Sequence, residues 1–139
     1  MIPIEILKIK DDLRDGYHVL CRVHINGKEF RMLVDTGASM TIFNIKIAKQ
    51  ISQNDVEENK QKISTVGNNS MKSKYITIEE MRIGDIIIRN YKTILLDLEN
   101  INDHFKEKGE PLIDGIIGGD ILFEHNAVIN YETRQMMLS

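Results

Sequence analysis

The chain is short of the residues that most often announce a function. It has one cysteine, Cys21, no tryptophan and two prolines in 139 residues. A single thiol excludes an intramolecular disulfide and any multi-cysteine zinc cluster. No apolar run approaches the roughly 20 residues that span a bilayer as a helix. Charge is nearly balanced, with 18 basic against 21 acidic side chains and a net −3, so no field draws the chain toward nucleic acid or an anionic membrane. The first ten residues scatter glutamate and lysine among isoleucines and lack the apolar core of a secretory signal, so a reducing cytoplasm is the expected compartment. What is present, 42% hydrophobic and 28% charged residues, suffices for a single domain across residues 1–139 with its own core.

Isoleucine far outnumbers alanine, and short apolar runs are cut by Gly, Asn and Asp. That texture predicts a mostly β fold with two or three short helices. Residues 2–9 read as a first strand. Val19, Cys21, Val23 and Ile25 alternate with His18, Arg22 and His24, although Leu20 breaks the polar face. Asn26-Gly27 then signals a hairpin, since both positions tolerate positive φ. The return strand, 29–35, ends in Met32-Leu33-Val34, apolar on both faces and so headed for the interior. Asn44 is placed to cap a helix running to Ile51. Residues 52–62 read as loop and 63–78 as a long hairpin turning at Gly67-Asn68-Asn69. A turn at Gly84-Asp85 precedes a strand over 91–98, and a short polar helix over 100–108 stops at Gly109. A buried strand over 113–117 leads to Asp120, placed to cap a brief helix, and 127–138 closes as a hairpin.

The chemistry sits in Leu33-Val34-Asp35-Thr36-Gly37-Ala38-Ser39. An acid directly after a buried strand is held rigidly and partly desolvated, which suits acid–base work. An aspartate in that position is also an ordinary β-turn residue. The apolar pair before the triplet and the small pair after it favour the first reading, and Ile116-Ile117-Gly118, far downstream, strengthens it.

With those segments the sequence resembles the retropepsin-like aspartic proteases, the retroviral enzymes and their single-lobe cellular and bacterial relatives. In that family an Asp-Thr-Gly-Ala loop is followed by a flap hairpin and then by a hydrophobic-hydrophobic-Gly strand beneath the active-site loop. All three occur here in that order, and residues 115–122 are closest to the cellular and bacterial members, which favour a Gly-x-Asp-x-Leu ending. The resemblance covers residues 19–138 and implies a single-lobe acid-protease fold, closed like a β-barrel. It implies that Asp35 is the catalytic carboxylate, that Thr36 locks two active-site loops together, and that Gly37 lets a substrate backbone approach, with Ala38 and Ser39 completing the loop. Ser39 matches the serine usual in cellular relatives. Val66, Gly67, Asn68 and Asn69 would form the flap, with Met71 beside it, and Ile116, Ile117 and Gly118 the structural support.

Aspartic protease catalysis needs two carboxylates sharing a proton, and this chain holds one Asp-Thr-Gly. The resemblance therefore implies an aspartic endopeptidase active as a homodimer, taking a peptide or protein substrate in extended form and using no cofactor. The competing reading is a non-catalytic peptide-binding or protein-interaction module with the same fold.

Other features carry less. His18, His24, His104 and His125 show no ligand spacing, so no metal is expected. Cys21 on an apolar strand face reads as buried and inert. Asn68-Asn69-Ser70 fits a glycosylation acceptor that goes unused without export, and Gly115 to Gly119 lacks a phosphate-binding pattern. Lys60, Lys62, Lys72 and Lys74 read as a solvated face. The methionines read as core filler, Met136 and Met137 being candidates for a dimer seam. The stretch 100–111 exceeds a minimal retroviral lobe; one reading is an inserted surface helix near the cleft.

Overall fold

The computed structural model describes residues 1–10, 13–64 and 70–139. The strands are β1 (Ile2–Pro3), β2 (Glu5–Ile9), β3 (Gly16–Ile25), β4 (Lys28–Val34) and β5 (Ile42–Asn44), followed by a 3-10 turn (Ile45–Ile47) and helix α1 (Ala48–Ile51). Then come β6 (Glu57–Ser64), β7 (Ser70–Ile83), β8 (Ile86–Leu96), α2 (Glu99–Glu107), β9 (Gly115–Ile117), α3 (Gly119–Glu124), β10 (Val128–Asn130) and β11 (Gln135–Met137). One sheet runs β2-β3-β4-β9-β5-β8-β7-β6, and a further pairing of β3 with β7 at His24 and Arg82 closes six of these strands into a barrel. A small second sheet has the order β1-β11-β10. Among the described residues no helix is long and apolar enough to cross a membrane.

Period-2 alternation builds the barrel core. Val19, Cys21, Val23 and Ile25 of β3 meet Phe30, Met32 and Val34 of β4 and Ile76, Ile78, Met81 and Ile83 of β7. The β3–β4 turn takes positive φ at both Asn26 (53°) and Gly27 (73°), as a tight hairpin requires. Leu20, the residue that interrupts the polar face of β3, belongs to a second apolar cluster outside the barrel with Leu7, Ile9, Leu98, Phe105, Ile113 and Ile116. Helix α2 covers that face, so both faces of β3 are buried where Leu20 lies.

Burial also settles the thiol. Cys21 is 3% exposed, and desolvation pushes it up to about 12, only partly opposed by the charge of Arg22. The folded protein is expected to leave a thiol reagent such as dithionitrobenzoate unreacted at pH 8 and to release one equivalent of chromophore on denaturation. Rapid labelling of the native chain would contradict this placement.

Several expectations are corrected. Residues 2–9 are not one strand: the chain breaks at Ile4, whose N–H donates to the Arg134 carbonyl (3.1 Å), so β1 joins the small sheet and β2 the barrel. Residues 57–62 are strand and not loop: the first arm of the hairpin starts at Glu57, because this backbone pairs antiparallel with β7, with a register shift between Glu58 and Lys62. The strand expected over 91–98 starts earlier, at Ile86, and pairs with β7 from Ile83↔Ile86 to Lys74↔Leu95. Met136 is fully buried in its own chain's core, which removes it as a seam residue, while Met137 stays about half exposed. Helix α2 is less polar in role than its composition suggests: Phe105 is buried, and the Asn102 amide donates to the Ile113 carbonyl (3.1 Å) while accepting from its N–H (2.8 Å).

Candidate active site

Strand β4 delivers Asp35 to the surface from the middle of the barrel. Its parallel neighbour β9 aligns Met32, Leu33 and Val34 with Gly115, Ile116 and Ile117, and the Asp35 N–H continues that ladder by donating to the Ile117 carbonyl (3.0 Å). The entry to β9 is fixed from below. The Arg31 N–H donates to Asp114 Oδ2 (2.8 Å), and the Asp114 N–H donates back to the Arg31 carbonyl (2.7 Å). Past Asp35 the chain turns: the Ala38 N–H donates to the Asp35 carbonyl (3.2 Å), and the Gly37 N–H donates to Asp35 Oδ1 (2.9 Å). Asp35 is half-buried, whereas Thr36, Gly37 and Ser39 are exposed and Ala38 is partly covered.

The turn rests on the β9–α3 junction. The Gly119 N–H donates to the Ala38 carbonyl (2.7 Å) and the Asp120 N–H to the Ser39 carbonyl (3.2 Å). A methyl group on Gly118 would lie 2.5 Å from the Met40 carbonyl oxygen and 2.8 Å from that of Ala38, so only glycine permits this approach. Ile116 and Ile117 are buried, on opposite sides of β9. Ile117 packs in the barrel core and Ile116 in the outer cluster beneath α2.

Asp120 does not cap α3, whose N-cap is Gly118 without a side-chain hydrogen bond. Its carboxylate turns to the chain leaving the Asp35 loop. Oδ1 accepts from the Thr41 N–H (2.9 Å) and the Thr41 hydroxyl (2.8 Å), and Oδ2 accepts from the Tyr91 hydroxyl. The Thr41 hydroxyl oxygen in turn accepts from the Gly118 N–H (3.0 Å), and Thr93 donates to the Thr41 carbonyl (3.3 Å). Burial, then the neighbouring Asp120 carboxylate, drives the Tyr91 hydroxyl well above the usual tyrosine range, so it stays a donor. Thr41, Tyr91 and Thr93 were missed as site-supporting residues. The available signal was Tyr91-x-Thr93, alternating with the charged Lys92 just before the apolar run Ile94-Leu95-Leu96.

Asp35 opens on a groove of about 350 Å³ floored by Leu33 and Val34 and bounded by Tyr17, His18, Ile129 and Tyr131. Asp35 is the single acid lining it. A second depression of about 400 Å³, on the other side of Thr36, is lined by Leu122, Phe123, Ala127 and Ile129. Among the described residues no three His, Cys, Asp or Glu side chains gather as a metal site would require. Val66, Gly67, Asn68 and Asn69 lie outside the described residues. The arms of their hairpin are β6 and β7, paired up to Ser64↔Ser70.

A family profile described as "Aspartyl protease" matches residues 21–121. No protein of curated function matches the sequence. Among solved structures the chain is similar to a retropepsin-like aspartic protease from Rickettsia conorii, with 16% identity over 94% of this chain and 88% of that one and a TM-score of 0.56. It is similar also to the retroviral protease-like domain of Ddi1 from Leishmania major, with 16% identity, 86% of each chain covered and a TM-score of 0.52. A third likeness is to the EIAV protease in complex with the inhibitor HBY-793, with 17% identity over 84% of this chain and 93% of that one and a TM-score of 0.57. The sequence profile spans the Asp35 loop, the β6–β7 hairpin and β9, and the structural likenesses extend over nearly all the rest: the chain belongs to the aspartyl protease family and carries its single-lobe, retropepsin-like fold.

Proposed function

We propose that this chain is an aspartic endopeptidase that works as a homodimer. The observation that carries the reading is a lone carboxylate, Asp35, held at the end of a core strand by the Gly37 N–H and lining an open groove with no second acid. Two such loops facing each other across a twofold axis supply the missing partner. Like charges about 3 Å apart cannot both ionise, so the pair shares one proton. The charged Asp35 takes a proton from a water as it attacks the scissile carbonyl, and the protonated Asp35 of the second copy donates to the carbonyl oxygen. Thr36 sits where the two loops meet, and Gly37 leaves room for the substrate backbone. The β6–β7 hairpin, with residues 66–69 at its tip, closes over an extended peptide. The chemistry needs no cofactor.

The small sheet supports a seam beside this site. β11 is its middle strand, β1 pairs with β11 of the same chain, and β10 has no neighbour on its outer edge among the described residues. An open edge is a ready template for strand pairing. Ile129 of β10 lines both depressions that flank Thr36, and exposed apolar side chains surround it: Phe123 (90%), Tyr131 (60%) and Val128 (50%). Two copies joined along β10 bury these residues and bring the two Asp35 loops together.

The experiment is cleavage of a denatured protein across a concentration series, alongside sedimentation. Activity is expected to be blocked by a statine-type inhibitor and to rise with the square of protein concentration while the monomer dominates. The double substitution Phe123→Asp, Val128→Asp is expected to give a folded monomer with activity lowered at least about 100-fold, as for loss of a central apolar anchor pair. A strictly monomeric active enzyme would overturn the dimer. A dimer that binds peptides and leaves them intact would assign the chain to the binding-module class.

A further inference from the structure

We infer that the outer face of the barrel carries a carboxylate-binding site built on the buried guanidinium of Arg31. The site takes a small acid with an apolar body and does not depend on the Asp35 chemistry. Phe30, Met32 and Val34 of β4 pack in the barrel core, so Arg31 between them faces outward, on the side where Leu20 of β3 is buried. Arg31 is 4% exposed, and its Nε and Nη2 are buried without a hydrogen-bond partner among the described residues. Buried polar groups in native proteins are almost always paired, and an unpaired buried charge is the costliest exception.

The two free nitrogens define the ligand. Nε–H and the neighbouring Nη2–H lie along one edge of the guanidinium and point the same way, the fork that grips two oxygens of an oxyanion. Among the described residues no acid of this chain fills it. Glu5 Oε1 comes to 3.7 Å from Nη2, an ion pair too long for a hydrogen bond. Asp114 accepts from the Arg31 backbone N–H through Oδ2 and forms no ion pair with the side chain. Directly across the β3–β4 ladder stands Arg22. Like charges facing each other in a ladder repel, and Arg22 has a 3.8 Å contact with Glu29 as its offset. An added anion relieves this pair.

Access runs through Glu5. A depression of about 210 Å³ is lined by Pro3, Ile4, Glu5, Leu20, Cys21 and Arg22. Arg31 does not line it, but Glu5 belongs to both places: it lines the depression and stands beside Nη2. The Glu5 side chain is half exposed, and among the described residues no hydrogen bond holds it. A ligand carboxylate that takes the place of the Glu5 carboxylate reaches the fork from the depression, with Arg22 at its edge. Pro3, Ile4 and Leu20 leave the rest of the ligand an apolar setting. Arg22, Arg31 and Glu5 sum to a single positive charge, which matches a monovalent carboxylate better than a phosphate dianion.

A free acid and the C-terminal residue of a peptide share this chemistry, and the probes separate them. The full chain is titrated at pH 7 with isovalerate, with N-acetylleucine and with isovaleramide, which has the same shape without the charge. The readout is the NMR signal of the Arg31 Nε–H. Isovalerate is expected to shift it saturably with a Kd of about 1–10 mM, and isovaleramide to leave it in place. N-acetylleucine binding at least as tightly as isovalerate assigns the site to a peptide C-terminus, and weaker binding assigns it to a free acid. Glu5→Gln, which removes the competing carboxylate, should tighten binding up to about 5-fold. Arg31→Lys, which keeps the charge and loses the fork, should weaken it at least about 10-fold. Should Arg31→Lys fail to fold, the Glu5→Gln titration decides alone. An equal response to isovalerate and isovaleramide overturns the site. So does an Nε–H signal that no acid moves in either wild type or Glu5→Gln, since Glu5 is then the fork's own partner.

Discussion

Replacing Asp35 by asparagine is expected to leave a folded dimer that has lost at least about 1,000-fold in kcat/KM, within the range that positioned acid–base groups contribute. The substitution is nearly isosteric, and its amide oxygen can still accept from the Gly37 N–H that holds Oδ1 at 2.9 Å. Loop geometry and the β4–β9 ladder therefore survive, so circular dichroism and sedimentation should match the wild type. On the proposed homodimer, what disappears is the shared proton: two asparagines offer neither a base for water nor an acid for the carbonyl oxygen. Mixing sharpens the test. Excess Asp35→Asn chain should draw wild-type protomers into half-sites and suppress their activity, whereas a second-site protease contaminant would be untouched. Substantial cleavage by purified Asp35→Asn protein would remove Asp35 from the catalytic role.

The second large effect concerns Asp120. Asp120→Ala deletes one acceptor that serves the Thr41 N–H, the Thr41 hydroxyl and the Tyr91 hydroxyl. Each buried donor left without a partner costs about 1–3 kcal/mol, so a total near 3–5 kcal/mol is expected. For a domain of this size that corresponds to a fall in Tm of roughly 10–20 °C. Asp120→Asn should recover most of the loss, because its oxygen can accept from Thr41 and its amide can donate to the Tyr91 oxygen. Tyr91→Phe removes a single bond and should cost only about 1 kcal/mol. Thermal unfolding of the three variants checks the order. Because the same carboxylate ties Thr41 to Gly118, kcat of Asp120→Ala should also fall at temperatures where it remains folded, and Asp120→Asn should restore it. An Asp120→Ala protein no less stable than Tyr91→Phe would show that the network carries little weight.

These residues also mark where the sequence was informative. Asp35-Thr36-Gly37 and Ile116-Ile117-Gly118 were legible because each packs its chemistry into contiguous positions. The Asn26-Gly27 hairpin and the helix ended by Gly109 were legible for the same local reason, positive φ at the turn (53° and 73°) and at the stop (74°). What stayed hidden depends on partners remote in the chain. Residues 57–62 are strand because β7 offers a ladder, whatever their own polarity suggests. Ile4 divides the first strand because Arg134 draws its N–H away. Asp120 has the local look of a helix cap, yet Thr41 and Tyr91 meet it through strands β5 and β8, and no local rule weighs that competition. Leu20, an anomaly in its own strand, becomes ordinary once Phe105 of α2 lies over it.

The parallel pairing of β4 with β9 has a consequence for how the protein comes into being. β4 ends at Val34, but the neighbour that receives the Asp35 N–H is Ile117, and the props of the turn, Gly119 and Asp120, follow it. Long-range pairings of this kind form slowly, since a large loop must close before any contact rewards it. During synthesis the Asp35 turn thus emerges from the ribosome long before its supports, and it has nothing to lean on until β9 and α3 have followed. A nascent chain carries the acid without its setting, and a frameshift or stop before Gly118 leaves a fragment unable to assemble it. The setting of Asp35 is in this sense completed only when β9 and the Gly119–Asp120 turn pair with it.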